Sequence, residues 1–372
     1  MHPPLNRTEL VTELRTRHPA KHELMLAFED LRIRVECNAK DVRDTLRSYY
    51  APFVTREARA DLTITVHEAP AFELPVRFQP RLREAGKKLK EEFFDLPDGR
   101  IVRKRLTGML FLFGGPDHLA IGPCRENPNQ VVNFINNRHI EWNLRRGDLL
   151  GHAAGVLRGE RGLALAGFSG AGKSTLALHL VSRGATFVSN DRLLLRREGQ
   201  RTWMRGVAKL PRINPGTALH NPDLSALLSD EERRRCAQMP PDALWELEQK
   251  HDVPIEPCFG PDRFRLVAPL DGLVILNWRR SAAPLEARRV LPDERHDLLP
   301  ALMKSAGLFY LPDPNDPPSE RSVAEYAVLL EDCPLLELRG GTDFAAATEI
   351  CMRLLERGEL PPSMRADTAE PA

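Results

Sequence analysis

The sequence predicts an α/β protein in which a phosphate-loop (P-loop) domain is preceded by a smaller α+β domain. Three observations predict it. Gly167-Phe168-Ser169-Gly170-Ala171-Gly172-Lys173-Ser174-Thr175 satisfies Gly-x-x-x-x-Gly-Lys-Ser/Thr at every fixed position, with the apolar run Leu163 to Ala166 before it and Leu176 to Val181 at helical spacing after it. A second strand, Thr186-Phe187-Val188-Ser189, closed by Asn190-Asp191, follows one helix later, which is the order of a β–α–β unit. The chain up to Asp148 has its own alternation of strand and helix signals and no cluster at a catalytic spacing. The expected division is therefore 1–148 for recognition or assembly, 149–360 for the P-loop domain, and 361–372 for a proline-rich disordered tail.

A chain of 372 residues is long enough for about two domains. Lys and Arg number 53 against 52 Asp and Glu, so bulk charge gives no reason to expect nucleic acid or an anionic membrane as a partner. No apolar run approaches the length of a spanning helix, and the polar start with Pro3 and Pro4 does not read as a signal peptide. Six cysteines lie far apart with no C-x-x-C pair, which argues against a zinc site and a disulfide framework and for reduced thiols in the cytoplasm.

In the first domain, Leu31 to Val35 alternates at period two and reads as a strand. Asn38 is placed to cap a helix with Val42, Leu46 and Tyr49 or Tyr50 on one face. Leu62 to Val66 is a second strand, ended by Pro70 and Pro75. Arg81 to Glu92 reads as a charged, solvated helix bearing Lys87, Lys88 and Lys90. Pro97 to Arg100 is a turn between it and the strands Ile101 to Arg103 and Met109 to Phe113, and Gln130 to Leu144 looks helical.

The second domain opens with two apolar segments, His152 to Leu157 and Gly162 to Ala166, around the polar turn Arg158 to Arg161. A hairpin of that length sets Leu157 opposite Gly162, and counting outward brings His152 opposite Gly167. In the loop itself, Gly170 and Gly172 let the backbone curl into an anion nest and the following helix adds its positive end. Lys173 is suited to bridge β- and γ-phosphates and Ser174 to ligate Mg²⁺. The helix ends at Arg183-Gly184, a left-handed cap. A right-handed crossover then lays Thr186–Ser189 parallel to the loop's strand, so that Asp191 opens on the same crevice, to hold Mg²⁺ or to accept a proton. These residues imply a bound nucleoside triphosphate.

His152, the loop, and Arg183-Gly184-Ala185-Thr186-Phe187-Val188-Ser189-Asn190-Asp191 together resemble the carboxyl-terminal domain of HPr kinase/phosphorylase, nearest to the group called HprK-related kinase B. The resemblance covers about Leu149 to Gly216. It implies a kinase fold related to phosphoenolpyruvate carboxykinase, ATP and Mg²⁺ as cofactors, and transfer to a serine or threonine hydroxyl of a protein. Carried over by position, His152 stands at the family's catalytic histidine, Lys173 and Ser174 at its phosphate and magnesium positions, and Asp191 at its second acid. The family's first acid, its base, is Asn190 here, so Asp191 or His152 takes that work, or transfer is weak or absent. The acid that follows the loop serine in founding members is Thr175 here, which argues against a reverse, phosphorylase activity. The resemblance also implies a homo-oligomer, as founding members are hexamers, and an ATP-grasp protein as a partner, from gene neighbourhood.

Beyond this stretch, Trp203 to Val207 is a strand leading into a stiff loop, Ala208 to Thr217, where Arg205, Lys209 and Arg212 supply positive charge for a phosphoryl group or an acceptor. Arg212 joins His152, Lys173 and Asp191 as an expected catalytic residue. Residues 221–261 read as an insertion or lid, with Ser229 starting a short helix. Leu273 to Leu276 is a buried strand ending in Asn277, and Asp293 to Met303 a helix containing a structural His296. Pro312 to Pro318 is a loop, Leu335 to Leu338 the last strand, and Phe344 to Arg357 a closing helix stopped by Gly358. Three rivals to protein phosphorylation are a small-molecule kinase, a nucleotide-gated binding module and, weakest for want of Asn-Lys-x-Asp, a GTP-hydrolysing switch; a cassette motor is disfavoured, for want of Leu-Ser-Gly-Gly-Gln.

Overall fold

A computed structural model of the protein describes residues 5–81, 89–312 and 321–359. They fall into two compact units: 5–145 with 306–312, and 146–305 with 321–359. Both are mixed α/β, each built on its own sheets. The tail beyond 360 and most of the Pro312–Pro318 loop lie outside the described residues.

The first unit is one mixed eight-stranded sheet. It runs in the order His22–Phe28, Leu31–Cys37, Leu62–Glu68, Asp117–Gly122, Leu110–Gly114, Gly99–Lys104, Glu91–Leu96, Gln79–Pro80. The period-two pattern of Leu31–Cys37 does what alternation dictates: Leu31, Ile33, Val35 and Cys37 are all fully buried. Helix Lys40–Tyr49 buries Val42 and Leu46, with Tyr50 just past its end, but Asn38 does not cap it. Instead the Asn38 side chain accepts from the Glu68 N–H at 2.8 Å and donates to the Glu68 carbonyl at 2.9 Å, tying down the end of a neighbouring strand.

The expected helix Arg81 to Glu92 is corrected where it is described. Residues 82–88, with Lys87 and Lys88, lie outside the description, and Glu91–Leu96 is a strand paired with Gly99–Lys104. The charges that suggested a solvated helix are cross-strand partners: Glu91 pairs with Lys104 and Glu92 with Arg103.

The second unit carries a six-stranded sheet in the order Thr186–Ser189, Ala153–Arg158, Arg161–Gly167, Gly272–Arg279, Leu335–Gly341, Leu285–Val290. Its centre is parallel, Arg161–Gly167 beside Gly272–Arg279 beside Leu335–Gly341. Continuous apolar runs follow from this, since Leu163–Ala166 and Leu273–Leu276 are covered on both faces. Helices Lys173–Ser182 and Phe344–Arg357 lie together against it, the second stopped by Gly358 at φ +70°. A four-stranded sheet adds Val267–Pro269, Arg201–Gly206, Leu193–Glu198 and Leu149–Gly151.

Thr186–Ser189 runs in the same direction as Arg161–Gly167 but is not its neighbour. The antiparallel strand Ala153–Arg158 lies between them, because the hairpin is inserted into the sheet. Asp293 to Met303 is a string of turns with one 3₁₀ turn at Leu299–Ala301. Pro300 explains it, having no N–H for a helical bond and a ring that clashes with the carbonyl four residues back. Residues 221–261 form short helices around buried Leu224, Cys236, Leu244, Val253 and Ile255. Among the described residues no helix is long and apolar enough to cross a membrane.

Candidate functional site

The loop between Gly167 and Lys173 is shaped by its glycines and by what they rest on. Gly170 (φ +83°) and Gly172 (φ +90°) are left-handed, and Gly172 is the N-cap of helix Lys173–Ser182. A Cβ on Gly172 would sit 2.5 Å from the Phe344 ring. The Trp278 indole N–H donates to the Ala171 carbonyl at 2.8 Å, and Phe344 meets the Trp278 ring edge-on at 5.2 Å. Two aromatic side chains thus support the loop from below while Phe168, Ser169 and Gly170 remain exposed. The first-turn N–H groups of the helix face this loop, and with the helix dipole they favour an anion there.

The Lys173 ammonium is buried and folded back on the loop, donating to the Gly167 carbonyl at 2.6 Å. Burial lowers its proton affinity, Asp191 raises it and Lys304 lowers it, with a net downward shift. Ser174 is partly exposed in the first turn, and the Thr175 hydroxyl meets that of Thr217 at 3.0 Å.

His152 reaches this place by register. The hairpin pairs Leu157 with Gly162 and Ala153 with Ala166, the count expected from the turn length. Pairing ends there, leaving His152 one residue beyond, its N–H donating to the Leu302 carbonyl at 2.5 Å. Asp191 is presented by a turn that Ser189 closes: the Ser189 hydroxyl donates to the Arg192 carbonyl at 2.6 Å and accepts the Val207 N–H at 3.2 Å. The two side chains meet, with His152 Nε2 3.0 Å from Asp191 Oδ1. The other carboxylate oxygen has Lys304 at 3.8 Å and Arg192 at 3.9 Å.

Burial raises the Asp191 carboxyl's proton affinity. The His152 hydrogen bond and the Lys304 and Arg192 charges outweigh that and bring it down to about 2. Such a carboxylate stays ionised, which makes it a poor proton acceptor at neutral pH and a good cation ligand. The Ser174 hydroxyl in the first turn of the helix is a second hard oxygen of the kind that suits Mg²⁺ when phosphates and water supply the remaining ligands. No group of three or more His, Cys, Asp or Glu among the described residues is arranged to hold a metal alone.

His152, Lys173 and Asp191 are therefore brought together, whereas Arg212 is not in contact with them. It lies on the Arg212–Ile213 strand, 3.1 Å from Asp252. Lys209 shares surroundings with Arg192, Asp191 and Arg212, and burial first, then Arg192, lowers its proton affinity. Arg205 leaves the basic loop altogether, held by Glu198 at 2.5 Å and by the fully buried Asp148 at 3.7 Å. Asn190, next to Asp191, has its side-chain oxygen buried without a hydrogen bond among the described residues.

Sequence reasoning missed Lys304, Trp278 and Phe344. Trp278 had a signal, two residues past a strand read as ending at Leu276; Lys304 had none, since it arrives through a bridge between Met303 and Gly151.

No family model matches the chain, and no curated protein is similar to it. Among solved structures it is similar to the Hpr(Ser) kinase/phosphatase from Coxiella burnetii, at 15% identity over 56% of this chain and 88% of that one, with a TM-score of 0.27. A likeness at that score carries neither fold nor activity across.

Proposed function

We propose that this chain is a phosphotransferase that uses ATP and Mg²⁺ and passes the γ-phosphoryl group to a serine or threonine hydroxyl of a protein. The observation that carries the reading is the His152–Asp191 pair, 3.0 Å apart, within electrostatic reach of the lysine of a glycine-rich strand–loop–helix. A loose phosphoryl-transfer transition state asks little covalent chemistry of a protein and much positioning and positive charge. This chain supplies both. The loop N–H groups and Lys173 would hold the phosphates, and Ser174 and Asp191 the Mg²⁺, which when bound neutralises charge on the phosphate oxygens. The acceptor oxygen would bond to the γ-phosphorus as the bond to the bridging oxygen breaks and ADP departs. The hydroxyl proton would pass to His152, since a carboxyl held near 2, as that of Asp191 is, makes a poor acceptor. The site lies in 146–305 with 321–359; the first unit would serve recognition or assembly.

The reading is tested with purified chain, γ-labelled ATP and a lysate of its own host. Label on a polypeptide, lost in Lys173→Ala, supports it. Label on a small metabolite would instead make the chain a small-molecule kinase. A second reading, a nucleotide-gated binding module, draws on Asn190, an amide that cannot take a proton. It predicts tight nucleotide binding with label that reaches no acceptor.

A further inference from the structure

Two lysines and one carboxylate converge in this site, and one of the lysines has no role in the reading so far. Lys304 enters on backbone contacts alone. Its N–H donates to the Leu150 carbonyl at 3.1 Å, Met303 bridges Gly151, and the Leu302 carbonyl accepts the His152 N–H. The stretch 302–304 thus runs antiparallel to 150–152, and the same contacts that set His152 set Lys304. Its ammonium stands 3.8 Å from Asp191 Oδ2, beyond hydrogen-bonding distance, while His152 holds Oδ1 at 3.0 Å. The Lys304 charge faces the carboxylate as a long ion pair with no hydrogen bond between them, and the side chain is about one-third exposed, at 30%.

Lys304 also bears on Lys173, whose proton affinity it lowers while Asp191 raises it, so both ammonium groups lie within electrostatic reach of the one carboxylate. Two positive charges share a single carboxylate there, and a polyanion would balance the second. A phosphate chain cradled by the loop would start at Lys173, which is bonded to the loop's own Gly167 carbonyl, and a longer chain would extend toward Asp191 and Lys304.

Building on the nucleotide reading above, we infer that Lys304 is a second phosphate-binding cation, which leaves Asp191 for the terminal phosphoryl group and makes the site select nucleoside triphosphate over diphosphate. A lysine serves as a point charge here, needing no planar geometry. Because backbone bonds position the segment, removing the side-chain charge leaves His152 in place.

The test is the binding of a non-hydrolysable β,γ-imido ATP and of ADP, each with Mg²⁺, to the full chain and to Lys304→Gln, Lys304→Met and Lys304→Arg. The expected result is about a tenfold loss of triphosphate affinity in the Gln and Met variants, the size of a charge-assisted hydrogen bond, with ADP affinity changed less than about twofold. Lys304→Arg keeps most of the triphosphate preference. Equal weakening of both nucleotides, or of neither, overturns the role of Lys304 and leaves the nucleotide site standing. A wild-type chain that binds neither nucleotide overturns both. The Met variant keeps the aliphatic stem, so a folding defect confined to Gln does not obscure the outcome.

Discussion

Lys173 and Asp191 make opposite demands on their surroundings, and substitution separates them. Lys173 is buried against carbonyls of its own loop, and the proposed triphosphate would have to draw it out. Lys173→Ala is expected to weaken ATP binding by about a hundredfold, the cost of losing a buried charge-assisted contact, as read by calorimetry. Asp191→Asn is isosteric and keeps an acceptor for His152 but loses the charge. It is expected to retain nucleotide within about tenfold while Mg²⁺-dependent turnover falls by about a hundredfold or more, and full turnover in that variant would remove Asp191 from the site. That His152 and Asp191 would meet near Lys173 was legible in the sequence, because a motif, a hairpin count and a strand end place them. Arg212 was not, because whether a loop cation faces a substrate or a carboxylate depends on a strand forty residues away, where Asp252 holds it.

At the scale of elements, the loop depends on two side chains from distant strands and helices. Trp278→Phe keeps an aromatic ring near Phe344 and removes only the bond to the Ala171 carbonyl. It is expected to cost about 1 kcal/mol and to raise hydrogen exchange in the loop, with little change elsewhere. Gly172→Ala is harsher, since its φ of +90° disfavours a side chain and the new Cβ would overlap Phe344 at 2.5 Å. A loss of about 2–4 kcal/mol is expected, partly restored by Phe344→Leu in the same chain, which thermal melting of the single and double variants would show. Strand and helix spans around the loop were legible because apolar period and glycine placement are local. The helix expected over Asp293 to Met303 failed on Pro300, and that over Arg81 to Glu92 on Glu91 and Glu92, whose cross-strand partners no local pattern reveals.

For the molecule as a whole, stability should depend on pH through buried histidines of the first unit. His67 is fully buried, neither ring nitrogen has a partner among the described residues, and burial lowers it to about 4. His118 is likewise lowered by burial, to about 3. Both are held neutral when folded, while an unfolded histidine takes its proton near 6.5. Their contribution is complete above that pH and is lost as pH falls from about 6.5 toward 4 and then 3, on the order of 3 kcal/mol for His67 alone. Denaturant melts at pH 7.5 and 5 should show the loss in the unit that contains both, and His67→Leu should flatten the slope. The sequence by itself determined the glycine-rich strand–loop–helix, the hairpin register that carries His152 to it, and the acid at the end of the next strand of like direction. Each of these follows from spacing within one stretch of chain, where backbone geometry leaves few alternatives. Only the tertiary structure decided that Lys304 joins Asp191, that Trp278 and Phe344 support the loop, and that Arg205 and Arg212 are held by carboxylates. Apart from Arg205 and Glu198, which are seven positions apart on facing strands, those are meetings of residues dozens to more than a hundred positions apart, and they are fixed by which strand lies beside which.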